Sequence, residues 1–160
     1  EKVITYSGSM TLETIPSTFI NDISQLIHSK VFNERYKLRF IGQLPGELNS
    51  LLAEKKILDY CEFVGFLPRV QLAEYLSDSD FFIATGISLK MNDYSIPSKI
   101  FDYMPFNKRI ICYNVSEEVK KIIEGNQLGV CISSNNENSL NILKSEWLSN
   151  NRIKLLNVQN

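Results

Sequence analysis

Short apolar runs alternate with longer amphipathic segments along most of the chain. Six of the runs are rich in β-branched and aromatic residues, and their length of four or five residues predicts strands. These runs occupy residues 3–6, 38–42, 61–65, 81–85, 109–113 and 128–132. Apolar side chains recur at helical spacing between them, and helices are predicted at 15–27, 48–57, 68–76, 97–104 and 117–124, with a helical tail around Trp147.

The regular exchange of strand and helix predicts a doubly wound α/β domain, in which a parallel, Rossmann-like sheet carries helices on both faces. The fourth run is apolar at nearly every position, which is typical of a parallel strand buried on both sides. The 160 residues fit one domain, assigned to residues 1–140, with a C-terminal tail at 141–160. The pattern leaves open whether this tail packs on the domain or extends away from it.

Finer predictions concern side chains within these elements. The third helix has four apolar residues on one predicted buried face: Val70, Leu72, Ala73 and Leu76. Four aromatic residues in strand or helix positions are predicted to lie in the core: Phe81, Phe82, Phe101 and Tyr103. Phe66 and Tyr94 fall in loops and are better candidates for ligand contact, while Gly125 suits a helix C-cap.

Composition excludes several classes of function. The net charge is −1 without a dense Lys/Arg cluster, which argues against a nucleic-acid-binding surface. The three cysteines are scattered through apolar runs, which indicates buried, reduced thiols and a cytosolic setting. His28 is the only histidine, so neither a metal site nor a Ser-His-Asp hydrolase is supported. The sequence also lacks GxGxxG after the first strand and lacks GxxxxGK[ST].

Ligands of open parallel sheets bind outside the carboxyl ends of the strands, where the strand order reverses. The loops to consider are therefore residues 7–14, 42–47, 65–69 and 86–98. All four begin at or beside a glycine at the end of a strand, and glycine allows close approach of a ligand to the backbone.

The most informative loop ends at Pro97, which is suited to the start of a helix. The free amides of Ser98 and Lys99, together with the helix dipole and the Lys99 charge, would form a phosphate site. Asp102 lies three residues further on and could accept hydrogen bonds from a ribose diol. An equally good interpretation from these residues alone is an ordinary helix with Lys99 and Asp102 as a weak surface pair.

Residues 97–104 read Pro-Ser-Lys-Ile-Phe-Asp-Tyr-Met, and Lys-Arg-Ile-Ile follows at 108–111. This segment resembles the P-S-K-[LIF]-x-E-Y-[ML]-x-x-x-K-P-[IV]-[IV] segment of GT-B glycosyltransferases of the family 4 or group 1 type. Looser matches to the same family occur in the family's order at residues 6–8, 38–42, 63–76, 80–83 and 125–130. The resemblance covers residues 3 to about 132.

The resemblance implies the C-terminal, donor-binding half of a two-domain enzyme. The first residues of the chain, which enter a strand without Met or leader, fit a fragment that lacks its N-terminal acceptor domain. The whole enzyme would transfer a hexose-type sugar from a nucleotide-diphosphate sugar to a glycan or lipid-linked acceptor, in polysaccharide or cell-envelope synthesis. It would need no metal or other cofactor and would work in the cytoplasm, meeting the inner face of the membrane only through the full-length protein. The fragment alone is expected to be inactive.

The motif positions and the loops together predict a set of donor-binding residues: Gly8, Gly65, Phe66, Leu67, Tyr94, Ser98, Lys99 and Asp102, with Lys90 as a further candidate. By resemblance, Gly8 would let its loop approach the diphosphate and residues 65–67 would border the base. Ser98 and Lys99 would contact the diphosphate. Asp102 would occupy the position of the carboxylate that binds the ribose, which is generally Glu in the family.

The sequence also departs from the family pattern. Many members have Arg after the first-loop glycine and Lys soon after, whereas Ser9 follows Gly8 here and the rest of that loop has neither. Retaining members have an acid eight residues before the ribose carboxylate, but Tyr94 stands eight before Asp102. Lys90 in the fourth loop is a candidate substitute for the missing positive charge.

Three alternatives remain at this level. A sugar-nucleotide 2-epimerase shares the two-domain fold, but its signature histidines and acids are not evident. A receiver-like module would have acidic residues after its first and third strands, where this chain has Ser-Gly-Ser and Gly-Phe. A degenerate, non-binding glycosyltransferase half is the third. The base, the sugar, the acceptor and the stereochemical outcome are not encoded in any motif that we recognise.

Overall fold

The computed structural model describes residues 1–30, 35–86 and 98–148. Six strands lie in this part of the chain: β1 (Lys2–Ser7), β2 (Tyr36–Ile41), β3 (Cys61–Gly65), β4 (Phe81–Thr85), β5 (Arg109–Tyr113) and β6 (Gly129–Ile132). They form one sheet in the order β3-β2-β1-β4-β5-β6, and every neighbouring pair is parallel. All six predicted strands are present, with ends that differ from the prediction by at most two residues.

Helices connect the strands and cover both faces of the sheet. In the described residues they are α1 (Ser17–Ser29), α2 (Gly46–Glu54), α3 (Arg69–Ser77), α4 (Ser98–Tyr103), α5 (Glu117–Gly125) and α6 (Ser139–Leu148). One core layer packs α1, α2 and α6 against the sheet, and a second layer packs α3, α4 and α5 against the other face. The predicted doubly wound α/β architecture is therefore confirmed.

Strand β4 illustrates how the sequence pattern produces the two layers. Phe81 and Ile83 belong to the first core layer, whereas Phe82 and Ala84 belong to the second. Successive side chains of a strand point to opposite faces, so a strand buried on both sides must be apolar at successive positions. All four residues are at most 5% exposed, as the continuous apolar run predicts.

Helix α6 is an integral part of the first core layer. Trp147 is buried and stacks on Phe81 with ring centroids 4.8 Å apart, and it contacts Tyr36 at 5.0 Å. Leu143, one turn earlier, is fully buried. Within the described residues the helical tail therefore packs on the domain. The division of the chain at residue 140 stays a prediction.

Helix α3 packs less deeply than its sequence indicates. Leu76 is buried and Leu72 is partly buried, but Ala73 is exposed and Val70 is 78% exposed, so this part of the predicted face is wrong. The helix turns only the side that carries Leu72 and Leu76 toward the core, and its C-terminal end also borders a buried charge. Arg39 of β2 is only 4% exposed and donates hydrogen bonds to the backbone oxygen of Tyr75 and to Asp78 just beyond the helix.

Three smaller predictions also need correction. Phe101, predicted to lie in the core, is 54% exposed because Ile100 and Tyr103 occupy the buried side of α4. Gly125 is the last residue of α5 instead of its C-cap, and the left-handed conformation occurs at Gln127 with φ 56°. Two of the three free cysteines are only half-buried: Cys61 and Cys131.

Candidate functional site

The strand order reverses between β1 and β4, and the carboxyl ends of these two strands form the switch point of the sheet. Ligands of open α/β sheets bind at this point. Three strands at the same edge end at, or directly before, a glycine with positive φ: Gly8 (122°), Gly42 (120°) and Gly65 (71°). The edge beside the switch point is therefore built from backbone without side chains.

These three glycines lie side by side along the edge. The Gly8 amide donates to the Ile41 carbonyl at 2.9 Å, and the Gly42 amide donates to the Gly65 carbonyl at 2.8 Å. A Cβ atom on Gly42 would lie 2.5 Å from the Gly8 carbonyl oxygen, so no other residue fits there without moving the neighbouring loop. The loops after β1, β2 and β3 consequently form one low, continuous rim.

Lys99 of α4 reaches across to the first of these loops. Its Nζ atom donates to the Tyr6 hydroxyl at 2.6 Å and lies 4.0 Å from the centroid of the Tyr6 ring. A Cβ atom built on Gly8 would be 3.4 Å from the same Nζ. The fold thus brings together two of the residues that the sequence predicted at the diphosphate, although they are far apart in the chain.

Tyr103, one helical turn after Lys99, fastens α4 to the switch point. Its hydroxyl donates to the Ile83 carbonyl at 2.9 Å and accepts a hydrogen bond from the Ser7 amide at 2.9 Å. Its ring stacks on Phe82 with centroids 4.4 Å apart. Burial raises the pKa of the Tyr103 hydroxyl, so this group remains a protonated donor at physiological pH.

The loop after β1 is held in place by contacts from neighbouring loops. The amide of Met10, which is buried, donates to the Gln43 carbonyl at 3.0 Å. The Thr85 hydroxyl at the end of β4 donates to the Thr14 carbonyl at 3.1 Å. Such contacts hold the backbone at Gly8 in one position before any ligand arrives.

The other predicted site residues lie further from Lys99. Gly65 ends β3, two strands from β1 and hence about 10 Å away. Phe66 is 88% exposed and Leu67 is half-buried. Asp102 is exposed, and no ion pair joins it to Lys99 within the described residues.

Three predicted contacts cannot be placed in the same way. Lys90 and Tyr94 lie outside the described residues. Ser98 begins α4, but its side chain is not among those described. All three stay predictions from the sequence.

The sequence matches the family model of glycosyl transferases group 1 over residues 1–159. The chain belongs to this family. No curated protein matches the sequence significantly.

Solved structures of glycosyltransferases share the fold of this group 1 member. WaaG, a glycosyltransferase involved in lipopolysaccharide biosynthesis, matches with a TM-score of 0.71 and 13% identity, over 91% of this chain and 38% of WaaG. Anabaena HepE matches with 0.65 and 11%, over 89% of this chain and 38% of HepE. S. aureus TarM matches with 0.68 and 12%, over 91% of this chain and 27% of TarM. The expected fold, that of the C-terminal domain of a GT-B glycosyltransferase, is confirmed, and the chain spans well under half of each of these proteins.

Sequence reasoning missed the part that two tyrosines play at the switch point of this glycosyltransferase domain. Tyr103 was predicted as a core residue only, and Tyr6 only as part of a strand motif. The available signal was the hydroxyl itself, since a buried Tyr in place of Phe usually has a hydrogen-bond partner. Which partner it finds depends on β1 lying beside β4, and that was not encoded locally.

The described residues contain neither a metal-binding cluster nor a membrane-spanning helix. Within residues 1–30, 35–86 and 98–148, no group of three or more His, Cys, Asp or Glu side chains could hold a metal ion. His28 is exposed and its Nε2 lies 2.9 Å from the Lys55 carbonyl oxygen. No helix of the described part of the chain is both long enough and apolar enough to cross a membrane.

Proposed function

We propose that this group 1 glycosyltransferase domain binds the nucleotide-diphosphate sugar donor at the switch point, with the diphosphate between Gly8 and Lys99. The observation that carries the proposal is the position of Lys99 Nζ, which lies 3.4 Å from a Cβ atom built on Gly8. An anion that approaches the bare backbone of Gly8 therefore meets a positive charge at once.

The Lys99 ammonium group has donors to spare for this task. A lysine ammonium carries three N–H groups, and one donates to the Tyr6 hydroxyl. The others can bond phosphate oxygens, and the Tyr6 ring supports the cation from below. During glycosyl transfer the nucleoside diphosphate leaves with growing negative charge, so a fixed cation here would stabilise the transition state.

The nucleoside end of the donor is assigned to the rim formed by the glycine loops. Residues 65–67 border the base in this proposal, with the exposed Phe66 ring available as apolar cover. The spacing of two strands between Gly8 and Gly65, about 10 Å, suits a nucleoside laid across the edge. Asp102 takes the ribose, and Ser98, Lys90 and Tyr94 complete the proposed site.

The ligands of structurally similar proteins suggest which donor to test first. The HepE structures hold UDP and UDP-glucose, the TarM structure holds UDP, and WaaB is named a galactosyltransferase. A UDP-hexose is therefore our first candidate. We propose that the whole enzyme, with an N-terminal domain, transfers the hexose to a glycan or lipid-linked acceptor in the cytoplasm without a metal. The free thiols are in keeping with that compartment.

The proposal is tested by a thermal-shift and calorimetry panel of UDP, GDP, ADP, CMP and the matching sugar nucleotides. One nucleotide at a hundred times its Kd should add about 2.7 kcal/mol to stability. Lys99→Met should weaken its binding by about 1–3 kcal/mol, the scale of a lost hydrogen bond to a charged group. Lys121→Met, which removes an exposed lysine of α5, is the matched control and should bind like the wild type.

Two outcomes would count against the proposal. Equal affinity of Lys99→Met and wild type would remove Lys99 from the diphosphate site. Absence of any shift at millimolar nucleotide would favour a degenerate, non-catalytic α/β interaction domain.

A further inference from the structure

The hydrogen bonds of β1 alternate between its two neighbours. The amides of Lys2 and Gly8 donate to carbonyls on the β2 side, those of Arg35 and Ile41. Backbone amides alternate in direction along a strand, so the amide of Ser7 points to the other side, toward β4. The last register pair between β1 and β4 is Tyr6 with Ile83.

The last rung of this ladder involves a side chain. The Ser7 amide and the Ile83 carbonyl are the donor and acceptor that face each other after the last register pair, and the Tyr103 hydroxyl is hydrogen-bonded to both, at 2.9 Å each. A helix side chain thereby completes the β1–β4 ladder at the point where the two strands separate. This hydrogen-bonded rung lies at the switch point, directly before Gly8 in the chain.

Helix α4 depends on such contacts for its position. It has six residues, Ser98–Tyr103, and a helix this short is not stable by itself in water. The side chains that hold it are the buried Ile100 and Tyr103, and Lys99 through its bond to Tyr6. Among these, only Tyr103 bonds both strands of the switch point.

We infer that Tyr103 is a positioning residue of the donor site: its hydroxyl locks α4 onto the ends of β1 and β4 and thereby holds Lys99 at Gly8. The inference rests on the proposed function for its consequence, but its geometric part does not need a nucleotide. The hydroxyl sets the site in place before the donor arrives, which reduces the ordering cost of binding.

Tyr103→Phe removes the hydroxyl while keeping the ring. The ring stacks on Phe82 at an angle of 6° between planes, and this packing does not involve the hydroxyl. The variant is therefore expected to fold with a lower melting temperature. Tyr113→Phe is the matched control, because Tyr113 is an equally buried tyrosine on the other face of the sheet.

The first readout is the NMR signal of the Lys99 ε-methylene group without nucleotide. In the wild type the Tyr6 ring should shift this signal, since Nζ lies 4.0 Å from the ring centroid. Tyr103→Phe should move the signal toward that of an exposed lysine such as Lys121, whereas Tyr113→Phe should leave it unchanged. An unchanged Lys99 signal in folded Tyr103→Phe would overturn the inference.

The second readout is the Kd for UDP, measured by calorimetry below the melting temperature of each variant. Tyr103→Phe should raise the Kd about tenfold, equivalent to about 1.4 kcal/mol, while Tyr113→Phe should not. A Tyr103→Phe variant that is less stable but keeps both the Lys99 signal and the Kd would show that Tyr103 only stabilises the fold. That result would contradict the inference that Tyr103 positions Lys99. If the wild type does not bind UDP, the proposed UDP site fails while the Lys99 signal still decides the role of Tyr103.

A measurement on the wild type covers the case in which Tyr103→Phe does not fold. The Tyr103 hydroxyl proton should exchange slowly with water and should show a nuclear Overhauser effect to the Ser7 amide proton. A rapidly exchanging hydroxyl without that contact would contradict the inference.

Discussion

At the scale of single residues, Lys99 and Asp102 show why a motif does not fix geometry. The sequence places them three positions apart on one short helix, but Lys99 turns to Tyr6 at the sheet edge while Asp102 is exposed to solvent. They form neither the surface pair that their spacing allowed nor any other ion pair among the described residues. Lys99 contacts Tyr6 instead of Asp102 because the ring and its hydroxyl offer a cation better contacts than an exposed carboxylate does.

Asp22 of α1 is a carboxylic acid buried in the domain core. It is 4% exposed, and its Oδ2 atom lacks a well-formed hydrogen bond, as does the nearby hydroxyl of Tyr113. Burial raises the pKa of Asp22, while the neighbouring Ser139 and Tyr113 side chains lower it to a smaller extent. The folded protein therefore binds the Asp22 proton more tightly than the unfolded chain does.

This shift predicts a pH dependence with a definite sign. Because the pKa of Asp22 is higher in the folded state, the free energy of unfolding falls as pH rises from about 4 through the folded pKa. Asp22→Asn cannot ionise, so it should remove this loss and have a higher free energy of unfolding at pH 7 than the wild type. Urea unfolding between pH 4 and 8 measures both effects.

The control for Asp22 is the exposed Asp59, where Asp→Asn should leave the pH profile unchanged. A lower stability of Asp22→Asn than of wild type at pH 7 would contradict the assignment. That result would mean that the Asp22 carboxylate is stabilised in its charged form.

At the scale of elements, the strands were easier to predict than the helices. A buried parallel strand such as β4 needs a continuous apolar run, and this signal is local. Helix α3 was misread because periodicity alone does not reveal what a helix packs on. Leu72 and Leu76 face the core, while the last turn of the helix accepts a hydrogen bond from the buried Arg39 at the Tyr75 carbonyl.

The same scale explains what could be predicted of the site. Gly8 and Lys99 were predicted from motifs within their own segments. Their contact, and the bonds of Tyr6 and Tyr103, depend on β1 lying beside β4, which joins residues more than 70 positions apart. Local spacing carries no information on such a pairing, so the role of the tyrosines had to come from the structure.

Helix α6 leads to a prediction about stability. Trp147 fills the space between Phe81 and Tyr36, whereas the adjacent Leu148 is 64% exposed. Trp147→Ala should lower the free energy of unfolding by about 3–5 kcal/mol, the usual cost of emptying a buried aromatic site. Leu148→Ala should change it by less than about 0.5 kcal/mol. Urea unfolding compares the two neighbours directly.

An equal, small effect of both alanine substitutions would contradict the placement of α6 in the core. Trp147→Phe provides a graded check, because it keeps an aromatic ring for stacking and should fall between wild type and Trp147→Ala.

At the scale of the whole molecule, the parallel direction of all six strands places their carboxyl ends along one edge of the sheet and their amino ends along the other. The carboxyl edge carries the glycine rim, Lys99 and the exposed Phe66. The amino edge carries Gly129 at the start of β6, where a Cβ atom would lie 1.7 Å from the Ile110 carbonyl oxygen, and Gly125 at the end of α5. We propose that Gly8 and Gly65 allow a ligand to approach the carboxyl edge, whereas Gly129 allows two backbones to pack closely at the amino edge.

Because glycines lie at both edges of the sheet, one measurement can test whether the donor binds at the carboxyl edge beside Gly8. The seven glycine amides of the chain fall in a well-resolved region of a proton–nitrogen correlation spectrum, which can be recorded during titration with UDP or another nucleotide that stabilises the fold. We predict that the signals of Gly8 and Gly65 shift as nucleotide is added until the site is saturated, while those of Gly125 and Gly129 stay in place. Shifts at Gly125 and Gly129 without shifts at Gly8 and Gly65 would place the nucleotide elsewhere and contradict it.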